Sequence, residues 1–266
     1  MDDSIRLTVL GAGGSVPVDG ERRREFGGAT SCYLLEAAGE TVFLDAGTGL
    51  RNAPARALQG RRFSLLLSHP HADHLLGLPF FPPLCRSDAE VRIYARERNG
   101  LSAAGQIGAF LSPPLWPCTL ADYPARTQCV DAADSFDLGR LRVDTMEAPH
   151  PGGSTVYRLS LAGKSVVYAT DFEHTGDAAA RLAAFARGTD LLLYDGHYTR
   201  EEYDRHRGYG HSTAETGLWA LSESGAGRLV LIHHNPDHTD DVLRDRENAL
   251  GTDRASFARQ GEEILL

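Results

Sequence analysis

Six residues, His69-Pro-His71-Ala-Asp73-His74, carry three imidazoles and one carboxylate. They follow directly on an apolar run, Phe63-Ser-Leu-Leu-Leu-Ser68, which reads as a buried strand. A fold that hosts both features must end a sheet strand in a loop dense with donors. Imidazole nitrogens and carboxylate oxygens suit borderline divalent ions such as zinc, and two ions can share such a cluster. The bland alternative is a histidine-rich surface loop, and the strand in front of the donors argues against it.

Two ions held at about four ligands each need more than one motif. Further donors are expected at the ends of other strands. His150 ends the run from Val143, Asp171 ends the run from Val166, and His233 ends the run from Leu229. Each follows apolar residues, as a ligand does when a rigid sheet carries it to the rim of a site. His234 adjoins His233 and competes for the same place.

The 266 residues can bury one large core or two small ones. No repeat, low-complexity tract or linker is visible, so one domain over residues 1–266 is expected. The net charge of −9 argues against a broad basic surface for nucleic acid. Cys32, Cys85, Cys118 and Cys129 lack C-x-x-C spacing and read as small semi-buried residues. The first residues show neither a basic start nor an apolar h-region, and no run approaches membrane-spanning length. A cytoplasmic protein with no membrane partner is the expectation.

Strands are expected at Ile5–Leu10, Ser31–Glu36, Thr41–Asp45, Phe63–Ser68, Val91–Tyr94, Leu141–Ala148, Ser154–Leu161, Ser165–Thr170, Asp190–Asp195, Arg228–His233 and Glu262–Leu266. Helices are expected at Asn52–Leu58, Leu101–Phe110, Asp177–Ala186 and Thr213–Ser224. Prolines break the stretch from Leu111 to Thr127, which reads as either a lid or a plain connection. Gly11-Ala-Gly-Gly14 is not a dinucleotide fingerprint. Strand runs followed by strand–helix alternation in both halves suggest two sheets face to face with helices outside.

The pattern H-x-H-x-D-H resembles the ligand signature of the metallo-β-lactamase superfamily. The segment Gly208-Tyr-Gly-His211-Ser-Thr213 resembles the G-H-S-T segment of its phosphodiesterase and tRNase Z-like branch. That resemblance implies an α/β fold, the four-layer αββα sandwich. It implies two divalent ions, zinc first and manganese or iron next. His69, His71 and His150 would hold one ion, and Asp73, His74 and His233 the other, with Asp171 between them. Asp45, in Phe-Leu-Asp-Ala-Gly, would fix the tautomer of a ligand imidazole.

The same resemblance implies hydrolysis by a hydroxide shared between the ions, with Asp73 and His211 carrying the chemistry. His211 would serve as general acid or phosphate donor, and the bland reading leaves it exposed beside a capped helix. Members of the tRNase Z family carry H-E-A-T upstream, whose Glu orients that histidine. No such Glu stands here, and Asp195 and His197 occupy the region. Arg22–Arg24, Phe80, Phe81 and Trp116 are candidates for lining the site, with solvated-loop and core roles as the plain alternatives.

Two ions, two carboxylates and one hydroxide leave the site near +1, which suits an anionic phosphodiester. The favoured partner is a small phosphodiester such as a cyclic nucleotide. A tRNA 3′-processing endonuclease, a lactonase or β-lactamase-type hydrolase and a non-catalytic di-metal sensor are the alternatives. Nucleic acid is the less favoured substrate, and a homodimer follows from the resemblance alone.

Overall fold

Alternate residues of the central strands face two different apolar layers, and this period of two builds the molecule. The computed structural model describes residues 3–266; the first two residues of the expected 1–266 domain lie outside the described residues. In chain order the first half gives β1 (Ile5–Gly11), β2 (Cys32–Ala37), β3 (Glu40–Leu44), α1 (Ala55–Leu58), β4 (Arg62–Leu66), β5 (Glu90–Ala95), α2 (Ala103–Phe110) and β6 (Arg126–Asp131). The second half gives β7 (Ser135–Leu138), β8 (Leu141–Ala148), β9 (Ser154–Leu161), β10 (Lys164–Ala169), α3 (Gly176–Phe185), β11 (Leu191–Asp195) and α4 (Arg200–Arg205). Then follow α5 (Ala214–Ser224), β12 (Arg228–Ile232), α6 (Asp240–Asn248), β13 (Ala255–Phe257) and β14 (Glu263–Leu265).

Two seven-stranded sheets result, ordered β14-β1-β2-β3-β4-β5-β6 and β13-β12-β11-β10-β9-β8-β7. Strands β3 to β6 pair in parallel, as do β10 to β13, and the remaining pairs are antiparallel. Tyr33, Leu35, Leu191, Leu193, Val230 and Ile232 point into the apolar layer between the sheets. Their neighbours Cys32 and Leu34 face a second layer, with Leu75, Phe81 and Ile107. Leu192, Tyr194, Leu229 and Leu231 face a third, with Leu182, Leu221 and Leu243. Both faces of each sheet are therefore covered, which is why β11 is buried along its whole length. The layers run helix, sheet, sheet, helix: the expected αββα sandwich.

The expected helix Asn52–Leu58 is broken. A 3-10 turn ends at Asn52, Pro54 is extended at ψ 145°, and only one α-turn follows. Proline lacks the amide hydrogen that a continuing helix needs and disfavours helix in the residue before it. Helix α2 starts at Ala103 because the Ser102 hydroxyl accepts the Gly105 N–H at 3.2 Å.

The parallel strands bring their carboxyl ends to one edge of the sandwich. Asp45 follows β3, the His69–His74 run follows β4, His150 follows β8, Asp171 follows β10, and His233 follows β12. β11 itself closes on Asp195.

Candidate metal centre

The expected donors meet at that edge in two groups. In the first, His69 Nε2 lies 2.8 Å and His150 Nε2 3.2 Å from His71 Nδ1. In the second, Asp73 Oδ2 lies 3.2 Å from Nε2 of both His74 and His233. Asp171 stands between them. Its Oδ1 is 3.8 Å from His69 Nε2 and 3.7 Å from His150 Nε2. Its Oδ2 is 3.2 Å from His74 Nε2 and 3.3 Å from His233 Nε2. One carboxylate thus offers one oxygen to each group.

The donor set fits divalent metal on three counts. Within each triad the ligand atoms lie within 4.8 Å of one another, a spacing that could hold an ion. His74 Nε2 is fully buried and has no hydrogen-bond partner, although its ring is anchored on the other side. A buried polar nitrogen without a hydrogen bond is costly unless something else engages it. The charges also suit a cation. Burial keeps His69, His71 and His150 below the ordinary histidine pKa, so their rings are neutral and their lone pairs free. Burial opposes charge on Asp73 and Asp171, but the surrounding imidazoles outweigh it and hold both ionised. His74 is driven the other way: burial disfavours its proton, yet Asp73, Asp171 and Asp45 together retain it. Three carboxylates around one imidazole leave negative charge for a metal to neutralise.

Asp45 is fully buried and accepts four hydrogen bonds. They come from the Ser68 N–H at 2.7 Å, the Ser68 hydroxyl at 2.8 Å, Tyr168 OH at 2.7 Å and His74 Nδ1 at 2.6 Å. The last leaves Nε2 of His74 to face the donors. Backbone geometry is unusual here as well. Ser15, Asp45, Asp171 and His233 all have left-handed φ, between 49° and 61°. Among the described residues the other non-glycine residues of that kind, Ala38, Asn99 and Ala162, each precede a turn glycine. Left-handed backbone costs about 1–3 kcal/mol and persists where surroundings enforce it. At Ser15 it aims the backbone N–H at Asp73 Oδ2, 2.8 Å away.

His211 lies beside the donors, 9% exposed, with its ring against those of His197 at 4.4 Å and His233 at 4.8 Å, which also meet each other at 5.2 Å. Its Nδ1 is 2.8 Å from Asp195 Oδ2. Burial works against a charged ring, but the charge and hydrogen bond of Asp195 prevail and raise His211 to about 9. Asp195 thus gives His211 the carboxylate partner that the absent H-E-A-T Glu would supply. The carboxylate is present, one methylene shorter.

His197 is buried too, and its Nδ1 donates to the His233 carbonyl at 2.9 Å. His234 turns away into the core. Its Nε2 donates to the Ala258 carbonyl at 2.8 Å, its ring meets Phe26 and Phe257, and burial pushes it down to about 4.

A cleft of about 250 Å³ opens over the donors. It is lined by His71, Asp73, His150, Asp171, His211 and His233, with Ser15, Pro151 and Tyr209 at its mouth. Neither Arg22–Arg24 nor Phe80, Phe81 and Trp116 line it. Phe81 is core, Phe80 packs on Trp116, and Arg23 donates to the Pro236 carbonyl. Residues from Leu111 to Thr127 line none of it, so they form no lid over the donors in this conformation.

The family model for the Beta-lactamase superfamily domain matches residues 40–234. The Ribonuclease Z of Natronomonas pharaonis is 24% identical over an alignment that covers 93% of this chain and 94% of that protein. The metallo-beta-lactamase fold protein YhfI from Bacillus subtilis superposes with a TM-score of 0.75 at 20% identity, covering 100% of both chains. A diphosphatase of the PhnP family superposes with a TM-score of 0.70 at 19% identity, covering 99% of this chain and 97% of the other.

Proposed function

This chain belongs to the beta-lactamase superfamily and is a metal-dependent hydrolase, and we propose that its substrate is a small anionic phosphodiester. In this reading His69, His71 and His150 hold one divalent ion, Asp73, His74 and His233 the other, and Asp171 both. Zinc matches this mixture of imidazole and carboxylate, with manganese or iron as the substitutes. Bound there, the metals supply Lewis acidity and a water of lowered pKa.

The remaining work falls to the chain itself. Asp45 holds the His74 ring through Nδ1. Asp195 holds His211 through Nδ1, which leaves Nε2 to donate a proton to the departing alkoxide. Asp73 is kept in place by the Ser15 N–H. His197 fixes the backbone of His233.

One observation carries the proposal: the acid it assigns, His211, lies against an array of metal donors, with a buried carboxylate behind its Nδ1. Cleavage that expels an alkoxide needs such an acid, and a phosphodiester gives such a leaving group. Relatives named Ribonuclease Z over nearly their full length favour a second reading, a tRNA-processing endonuclease. The net charge of −9, and a cleft with neither lysine nor arginine in its lining, support the small substrate instead.

The test is a substrate screen on protein loaded with zinc or manganese. It compares bis(p-nitrophenyl) phosphate, cyclic nucleotides, cyclic phosphate sugars, lactones and pre-tRNA. Turnover of the small phosphodiesters, lost in His71→Ala with the fold intact, is the expected result. Lactone or pre-tRNA turnover without it would refute the proposal.

A further inference from the structure

The cleft over the donors is small. Pockets that enclose a drug-sized ligand run to roughly 300–1,000 Å³, and this one is about 250 Å³. A phosphate bound at the donors on its floor leaves the rest of a substrate to extend towards the rim.

Tyr209 stands on that rim and is 60% exposed. Apart from imidazoles it is the one aromatic ring in the cleft lining. Its position is fixed from several sides. Gly208 and Gly210 flank it with φ of 86° and 89°, a conformation that side chains resist. The N–H groups of both glycines are bonded to the buried Glu173 carboxylate, at 2.7 and 3.1 Å. The Tyr209 N–H bonds the His206 carbonyl at 3.1 Å, and the Tyr209 ring meets the His206 ring at 5.3 Å. His206 stacks in turn on Tyr198 at 5.0 Å. The Gly210 carbonyl accepts from His150 Nδ1 at 3.0 Å, so the tyrosine's loop and a metal donor form one unit. A large ring held in place before any ligand arrives loses little freedom on binding.

We infer that Tyr209 is a specificity-determining residue: its ring is the platform on which the base of a nucleoside phosphodiester stacks while the phosphate reaches the donors. The inference rests on the phosphodiesterase reading above and narrows it to substrates that carry a base. A planar base on an aromatic side chain gains about tenfold in affinity or more, whichever base it is. The mouth offers no amide or guanidinium side chain to read a base edge. The platform therefore accepts purines and pyrimidines alike.

The test measures binding to the zinc-loaded protein, with turnover of bis(p-nitrophenyl) phosphate followed on the same preparation. Adenosine 5′-monophosphate should bind about tenfold more tightly than ribose 5-phosphate. Tyr209→Ala should remove that advantage, and Tyr209→Phe should keep it because the ring is retained. Equal binding of the two phosphates to the wild type, or an advantage that survives in Tyr209→Ala, overturns the assignment while turnover upholds the hydrolase reading. No turnover of any phosphodiester overturns both.

Discussion

Asp195 Oδ2 stands 2.8 Å from His211 Nδ1, while Asp195 Oδ1 accepts the N–H groups of His197 at 3.0 Å and Ser212 at 3.1 Å. A fully buried carboxylate thereby fixes both the charge and the backbone of the proposed acid. Asparagine keeps the shape but cannot stabilise an imidazolium. Asp195→Asn should therefore lower kcat/KM about 100-fold on phosphodiesters with poor leaving groups. Nitrophenolate esters, which hardly need a proton, should lose much less. A series of aryl and alkyl diesters measures the contrast. A uniform loss along the series would mean that Asp195 only supports the fold.

Asp45 is the corresponding anchor on the metal side, and it engages Ser68, His74 and Tyr168 together. Asp45→Asn should weaken metal affinity about 10–100-fold, the usual result of losing a partner behind a ligand histidine. Competition with a chromogenic chelator reads this directly. Unchanged affinity would show that His74 needs no orientation.

Most of the donors are legible in the sequence because they follow apolar strands, which are visible as runs, whereas His150 follows the mixed strand β8. Asp195 lies at such an end as well, but its partner lies 16 residues further on, beyond α4. No local pattern joins the two. Tyr168 is further still from Asp45, 123 residues along the chain. The choice between His233 and His234 was open because both follow the same strand. The structure places them apart: His233 has left-handed backbone and lies against Asp73 and Asp171, and His234 enters the core beside Phe26. Helix α6 is not legible in the sequence because Asp-Asp-Val-Leu-Arg-Asp-Arg-Glu-Asn shows no apolar period, and it buries only Asp240 and Leu243. Strand β6 is an edge strand of mixed exposure, Arg-Thr-Gln-Cys-Val-Asp, without the apolar run that marks its neighbours.

Gly14 packs its backbone against the His233 ring, and a Cβ there would overlap the imidazole. Its N–H also bonds the His234 carbonyl at 2.9 Å, so the loop cannot easily retreat. Gly14→Ala should displace His233 and weaken the second ion while sparing the first. Metal analysis after dialysis should give close to one ion per chain where the wild type gives two. Two tightly held ions in the variant would count against His233 as a ligand.

Outside the donor set, Glu247 offers a pH-dependent contribution to stability. Its carboxylate accepts from Arg259 at 2.9 and 2.6 Å and from the Phe257 N–H at 2.8 Å, and its side chain is 20% exposed. Burial opposes its charge, but these donors outweigh burial and lower its pKa. A lowered folded pKa stabilises the fold at pH above the unfolded value, near 4.3, and the gain is lost as pH falls through the folded value. Glu247→Gln should therefore cost about 1 kcal/mol at pH 7. The difference from wild type should shrink as pH falls below about 4. Urea unfolding of metal-free protein at pH 7, 5 and 3.5 measures it, with the metal ligands titrating alike in both proteins. A gap that stays constant with pH would show that the loss comes from packing rather than charge.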